Sequence, residues 1–263
     1  MCSRGFVALG ARPDMLQKLV ALRLITPPAI WGKLAGHSDF VRSGMRHGES
    51  EGWQPWLIEN GRFPEVAPVG TLPTAFVLAP GTLGFAPHHF VVGVVAPSID
   101  RVGRRHALLV YQVAHPRWAE RHFAAQAIHP QDWLFWLGRA VARHIGPHGA
   151  PQVQALGRTV DALWRLHAPG LRELFGARAD STAGSTNADP SRDRSKAVLD
   201  RFAGPCIEDD LAARLQGVRY FPWSNWPHAF LASRVQNAFW QQDAAGGFVN
   251  AAPQLSNLWS SSQ

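Results

Sequence analysis

Lysine is almost missing from this chain: Lys18, Lys33 and Lys196 are the only three among 26 basic residues, the rest being arginine. With 19 acidic residues the formal charge is +7 and the pI near 10.4. A polyphosphate partner would require those cations in a cluster, where they could displace counterions together. They are scattered from Arg4 to Arg234, and Arg101, Arg104 and Arg105 form the single tight group. No nucleic-acid partner is therefore expected, and the scarcity of lysine fits a GC-rich coding bias as readily as a selected basic surface. Cysteine is equally sparse. Cys2 and Cys206 lie too far apart in sequence to suggest a disulfide framework, and no zinc-type spacing surrounds either, so a reducing cytoplasm is the expected location. Long apolar runs are absent as well. The longest, around Phe90 to Val95, is about a third of the roughly 18 residues that span a bilayer, and Met1 to Ala11 lacks the apolar centre of a secretory signal. Direct membrane insertion is not expected. Gly81, Gly84, Gly93 and Gly103 fit neither a dinucleotide fingerprint nor a phosphate loop, and no cofactor is implied.

What is present is enough for a large core, since 46% of the 263 residues are hydrophobic. Residues 1–28 read as an N-terminal extension holding a short helix over Met15–Leu22, and residues 29–263 as one layered domain. Strands are predicted over Ala29–Leu34, Thr74–Leu78, Phe90–Val95 and Ala107–Val113, the third buried on both faces. Pro97 is expected to end sheet pairing there, leaving Ser98 to Arg105 on a loop. Helices are predicted over Glu49–Asn60, with Trp53, Trp56 and Leu57 inward, over Asp132–Ile145 with Asp132 as cap, and over Gln152–His167. The helical part thus falls within residues 130–170. The polar stretch 177–196 reads as a flexible loop, because it holds no large apolar residue that would offset ordering entropy. Short helices are predicted at 197–202 and 209–215. The part from 218 to 263 is aromatic-rich, with a strand over Val218–Trp223 and aromatics expected to fill the core.

Two polar segments stand between core strands: Ala35 to Asp39, and Ser98 to Arg105. A hydrolase or phosphate-handling enzyme would draw on His37, Asp39, Asp100, Arg101 and His106, with a histidine near an aspartate as base and orienter and Arg101 with Arg104 as an anion clamp. No nucleophile accompanies them, since Ser98 follows Pro97 without an elbow motif. The alternative is structural. Loop aspartates commonly accept nearby backbone N–H groups, and Asp39 and Asp100 would then fix the two loops, with Asp39 approaching Arg101 or Arg104. His88 and His89, adjacent on the chain, point to opposite sides and make a poor metal pair.

Together the two segments carry a family resemblance. Trp31-Gly32-Lys33-Leu34-Ala35-Gly36-His37-Ser38-Asp39-Phe40-Val41-Arg42 resembles the G-K-L-P-x-x-G-D-F-V signature that opens the TagF (ImpM) family of type VI secretion accessory proteins. Gly93 to Arg104 resembles the family's G-V-x-x-P-S-x-D-R-V-G-R signature, and the likeness covers about residues 30–115. Ala35 and Ser38 depart from the first pattern, and Arg105-His106 makes the start of the following strand more basic than the usual tyrosine-phenylalanine. The resemblance implies an α/β fold of the longin-like sandwich type, a mainly antiparallel sheet flanked by helices. It implies a cytoplasmic, non-enzymatic negative regulator of type VI secretion acting after translation, whose partner is the forkhead-associated domain scaffold protein. Gly32, Lys33, Asp39, Phe40, Ser98, Asp100, Arg101, Gly103 and Arg104 are the motif or partner-binding positions it marks.

Overall fold

Ala75–Leu78, Phe90–Val95 and Ala107–Tyr111 are unbroken apolar runs, and a strand of that composition is stable only with both faces covered. In the computed structural model, which describes residues 23–60, 72–126, 131–145, 152–169, 190–203, 236–243 and 245–260, these runs are the three central strands of one sheet. The strands are β1 (Ala29–Gly32), β2 (Val41–Ser43), β3 (Thr74–Leu78), β4 (Phe90–Ile99), β5 (Arg105–Ala114), β6 (Ala238–Gln242) and β7 (Phe248–Ala252). Their order is β2-β1-β5-β4-β3-β6-β7, with every neighbouring pair antiparallel. The helices are α1 (Glu49–Asn60), α2 (Pro116–Gln126), α3 (Trp133–Ile145), α4 (Val153–His167), α5 (Pro190–Ala203) and α6 (Leu255–Ser260).

Side chains alternate across the strands, so each face of the sheet has its own core. Val92, Val94, Leu108 and Val110 meet Trp133, Leu137, Leu156, Leu163 and Leu199 from α3, α4 and α5. On the opposite face Val91, Val95, Leu109 and Tyr111 meet Trp53, Trp56 and Leu57 of α1 and Leu258 and Trp259 of α6. The expected α/β sandwich, an antiparallel sheet flanked by helices, is the architecture observed. Buried polar contacts tie the layers together. Tyr111 Oη donates to Glu49 Oε2 (2.7 Å), joining β5 to α1, and Trp133 Nε1 donates to Gln112 Oε1 (2.6 Å), joining α3 to β5.

Several local expectations change. Pro97 does not end β4, which continues to Ile99 with Pro97 opposite Ala107. The pairing with β3 stops at Val95, so Pro97 has a partner strand on one side only, where a missing N–H is tolerated. Ser98, Arg105 and His106 consequently belong to strands rather than to a loop. Helix α2 was not foreseen. Pro116 occupies its first position, and His115 Nδ1 accepts the Arg117 N–H (3.2 Å) as a cap. Helix α5 begins at Pro190, inside the stretch expected to be a loop, and buries Ser195 and Leu199. Asp132 caps α3 as predicted, accepting the Leu134 and Phe135 N–H groups at 3.1 and 3.2 Å. Phe239, Trp240, Phe248 and Trp259 are buried as expected, on β6, β7 and α6. The predicted segments 15–22, 209–215 and 218–223, with Trp223 and Trp226, lie outside the described residues.

Candidate functional site

Asp100 opens the turn between β4 and β5, and aspartate and glycine at the ends of such a turn have separate reasons to be there. The Asp100 carbonyl accepts the Gly103 N–H (3.0 Å), and Asp100 N–H donates to the Arg104 carbonyl (3.0 Å). Gly103 takes φ +85°, the left-handed position that closes a three-residue hairpin loop. Asp100 Oδ1 accepts the N–H groups of Val102 (3.0 Å) and Arg104 (2.8 Å), so the side chain copies the backbone bonding of the turn.

The other carboxylate oxygen faces two cations. Lys33 Nζ donates to Asp100 Oδ2 at 2.9 Å and Arg104 Nε at 2.7 Å. The Asp100 side chain is fully buried and that of Lys33 8% exposed, whereas Arg104 is 58% exposed. Burial pushes the Asp100 carboxyl up, but Lys33, Arg104 and the two turn N–H groups together override it and hold the group well below the usual carboxylate range. Asp100 is thus an internal anchor. It was expected on a surface loop, and its burial follows from Lys33 reaching it from the end of β1.

Lys33 follows Gly32, which has φ +132°; a Cβ there would lie 2.0 Å from the Ala107 carbonyl oxygen. Only glycine lets the chain leave β1 so close to β5. The loop beyond it is held by the hairpin, with Arg101 N–H donating to the His37 carbonyl (2.9 Å) and Arg104 Nη2 to the Ser38 carbonyl. The two motif segments therefore meet, but through different atoms from those expected. Asp39 is exposed, and among the described residues no ion pair joins it to Arg101 or Arg104. Phe40 stacks on Trp31 (5.5 Å), and His106 meets both rings edge-on at 5.2 and 4.7 Å. Lys33 Nζ lies 5.4 Å from the Phe40 ring centre. Burial, and then the nearby Lys33, lower the His106 pKa against the opposing bond from Nδ1 to the Ala107 carbonyl, so the ring is held neutral. Sequence reasoning listed no role for His106 in this packing, and its sequence neighbours Arg105 and Ala107 carried no signal of it, because Trp31 and Phe40 reach the ring only in the fold.

The groups an acid–base mechanism would use are otherwise engaged. His37 Nε2 accepts the Val153 N–H (3.2 Å) at the start of α4, and its presumed orienter Asp39 faces solvent. Ser98 lies on β4 opposite His106. A second serine–histidine contact, His167 Nε2 to Ser195 Oγ (3.0 Å), is structural in form: Ser195 Oγ donates to the Ser191 carbonyl (3.0 Å), which leaves the imidazole as donor rather than base. Among the described residues no group of three or more histidine, cysteine, aspartate or glutamate side chains is placed to hold a metal ion, and His88 and His89 stand in a surface turn. On the outer side of the hairpin Ile99, Arg101, Val102, Arg104 and Arg105 are all exposed.

Residues 67–163 match the family described as TagF N-terminal domain, type VI secretion system-associated. That segment is similar to a TagF N-terminal domain. The matched segment contains β3, β4, β5 and the Asp100 turn; Trp31 to Arg42 precedes it. The family so matched is type VI secretion-associated. No curated protein matches the sequence. Solved structures similar to the chain include the crystal structure of PA0076 from Pseudomonas aeruginosa PAO1, 17% identical, with 88% of this chain and 90% of that one covered at a TM-score of 0.42. That likeness is too distant to carry a function across. Among the described residues no helix is long and apolar enough to cross a membrane.

Proposed function

We propose that this protein is a cytoplasmic, non-enzymatic negative regulator of type VI secretion that acts by binding the forkhead-associated domain scaffold protein. The observation that carries this reading is the division of labour in the motif. Lys33, Asp100 and the backbone of the Ser38 loop are spent on internal bonds, and they hold a turn whose arginines face outward. A conformation so fixed loses little entropy on binding, which favours a recognition element. The chemical groups a hydrolase would need point elsewhere: His37 is committed to α4, and Asp39 has no basic partner among the described residues.

Co-purification with the scaffold, joined to a secretion assay in deletion and overexpression strains, tests the proposal. A complex, with secretion raised by deletion and suppressed by overexpression, is the expected result. Unchanged secretion on overexpression and no complex would end it.

A further inference from the structure

The described residues include five large hydrophobic side chains that are exposed, and two of them, Val102 at 62% and Ile99 at 48%, flank the buried Asp100 on one turn. Isolated surface apolar residues need no explanation, but two within four positions on a rigid projection form a contact element. Their surroundings are basic. Arg101 follows Asp100, Arg104 and Arg105 return down the hairpin, and Ile99 stands directly opposite Arg105 across the ladder. The one carboxylate within the turn is turned inward and neutralised by Lys33. Its outer face therefore presents apolar tips ringed by guanidinium groups with no exposed carboxylate among residues 99–105.

Resting on the function proposed above, we infer that the tip Ile99–Arg105 is the reading element, and that it docks Val102 and Ile99 into an apolar depression rimmed by carboxylates on the partner protein. Arginine at the rim steers and orients encounter, while a desolvated apolar anchor supplies residence time. Lys33 and Asp100 are positioning residues that touch no partner atom. Arg104 serves both sides, through Nε inward and its exposed head outward. A polyanion such as DNA would engage the arginines but would leave Val102 without a partner, so the apolar half of the element selects a protein surface.

Affinity for the purified scaffold protein, measured by biolayer interferometry at several salt concentrations with the full chain, tests the inference. Arg101→Glu and Val102→Ser alter side chains with no internal hydrogen bond, so circular dichroism and melting temperature are expected to stay at the wild-type values. Each should weaken binding by about tenfold or more, and Arg101→Glu should also flatten the salt dependence. Arg117→Glu, exposed just beyond the end of β5 opposite the turn, should bind as wild type does. If the wild-type chain binds and both tip variants stay within about twofold of it, the docking inference is overturned while the proposed function stands. Comparable affinity of the wild-type chain for random-sequence duplex DNA, insensitive to Val102→Ser, overturns it in favour of polyanion binding. Absence of any complex with the wild-type chain overturns the proposed function, and the assignment of the tip to that partner falls with it.

Discussion

At the scale of single residues, Asp100 is the most consequential group, because one side chain satisfies two backbone donors and two cations. Its carboxyl is held below the ordinary value of 3.8, so its stabilising effect is complete above that value and is lost as pH falls through the lower folded-state value. Asp100→Asn should therefore melt at a lower temperature than wild type at pH 7, and the gap should narrow as thermal scans are moved below about pH 4. Lys33→Met should lower the melting temperature too, by leaving the carboxylate one cation short. His106 titrates to the opposite charge, with the same sign of dependence. Its pKa is lowered from 6.5 by burial first, so the unfolded chain takes up the proton more readily and stability falls as pH drops below that value. His106→Phe, which keeps a ring beside Trp31 and Phe40, should reduce the stability difference between pH 7.5 and 5.5, as measured by urea unfolding. Among the described residues, His144 and His89, both also lowered by burial first, contribute to the slope that remains.

At the scale of elements, packing outweighs hydrogen bonding in attaching α1 to the sheet. Trp53 is fully buried, with the rings of Trp56, Phe76 and Tyr111 at 5.6, 5.7 and 5.0 Å. Trp53→Ala should cost about 3–5 kcal/mol, through lost transfer energy and the cavity left behind. Tyr111→Phe keeps the ring and removes the donor to buried Glu49, which retains the Arg46 N–H (3.0 Å); a cost of about 1–3 kcal/mol in urea unfolding is expected. Helix α1 was legible in full because Trp53, Trp56 and Leu57 repeat at helical spacing, and α3 because Asp132 is a good cap before an apolar stripe. Helices α2 and α5 were harder to see. Both begin at a proline, and proline is read as a stop unless the tertiary contacts behind it are known. The extension of β4 through Pro97 was hidden for a related reason: whether a proline is tolerated depends on which neighbouring strand has already ended.

At the scale of the whole molecule, the sheet sets the site. Strands β1, β4 and β5 are adjacent, so the segment leaving β1 and the turn joining β4 to β5 emerge at one end of the sheet, where Lys33 reaches Asp100 across 67 positions of sequence. This arrangement separates two substitutions that look equivalent along the chain. Arg104→Glu should both weaken scaffold binding and lower the melting temperature, since Arg104 bonds Asp100 and the Ser38 carbonyl; Arg101→Glu should do the first only, as it lends only its backbone N–H to the fold. Parallel binding and circular dichroism measurements on the two variants will distinguish them. In cells, overexpressed Arg101→Glu should suppress secretion less than overexpressed wild type at equal protein level.

By itself the sequence determined a layered α/β class, the central strands, the helices with regular apolar spacing and the two motif segments, because period and composition are local properties of the chain; the antiparallel sheet was implied by the family resemblance alone. It also marked Gly32 and Gly103, whose backbone geometry other residues would strain. Only the tertiary structure decided what the polar residues between them do. Asp39 and Asp100 look alike in sequence, each an aspartate beside a basic or aromatic neighbour. One is left in solvent and the other is sealed against Lys33 and Arg104, because burial and pairing depend on which strand ends the sheet brings together. The motif thus divides into an inner half that holds the turn and an outer half, Arg101 and Val102, that remains available to another molecule.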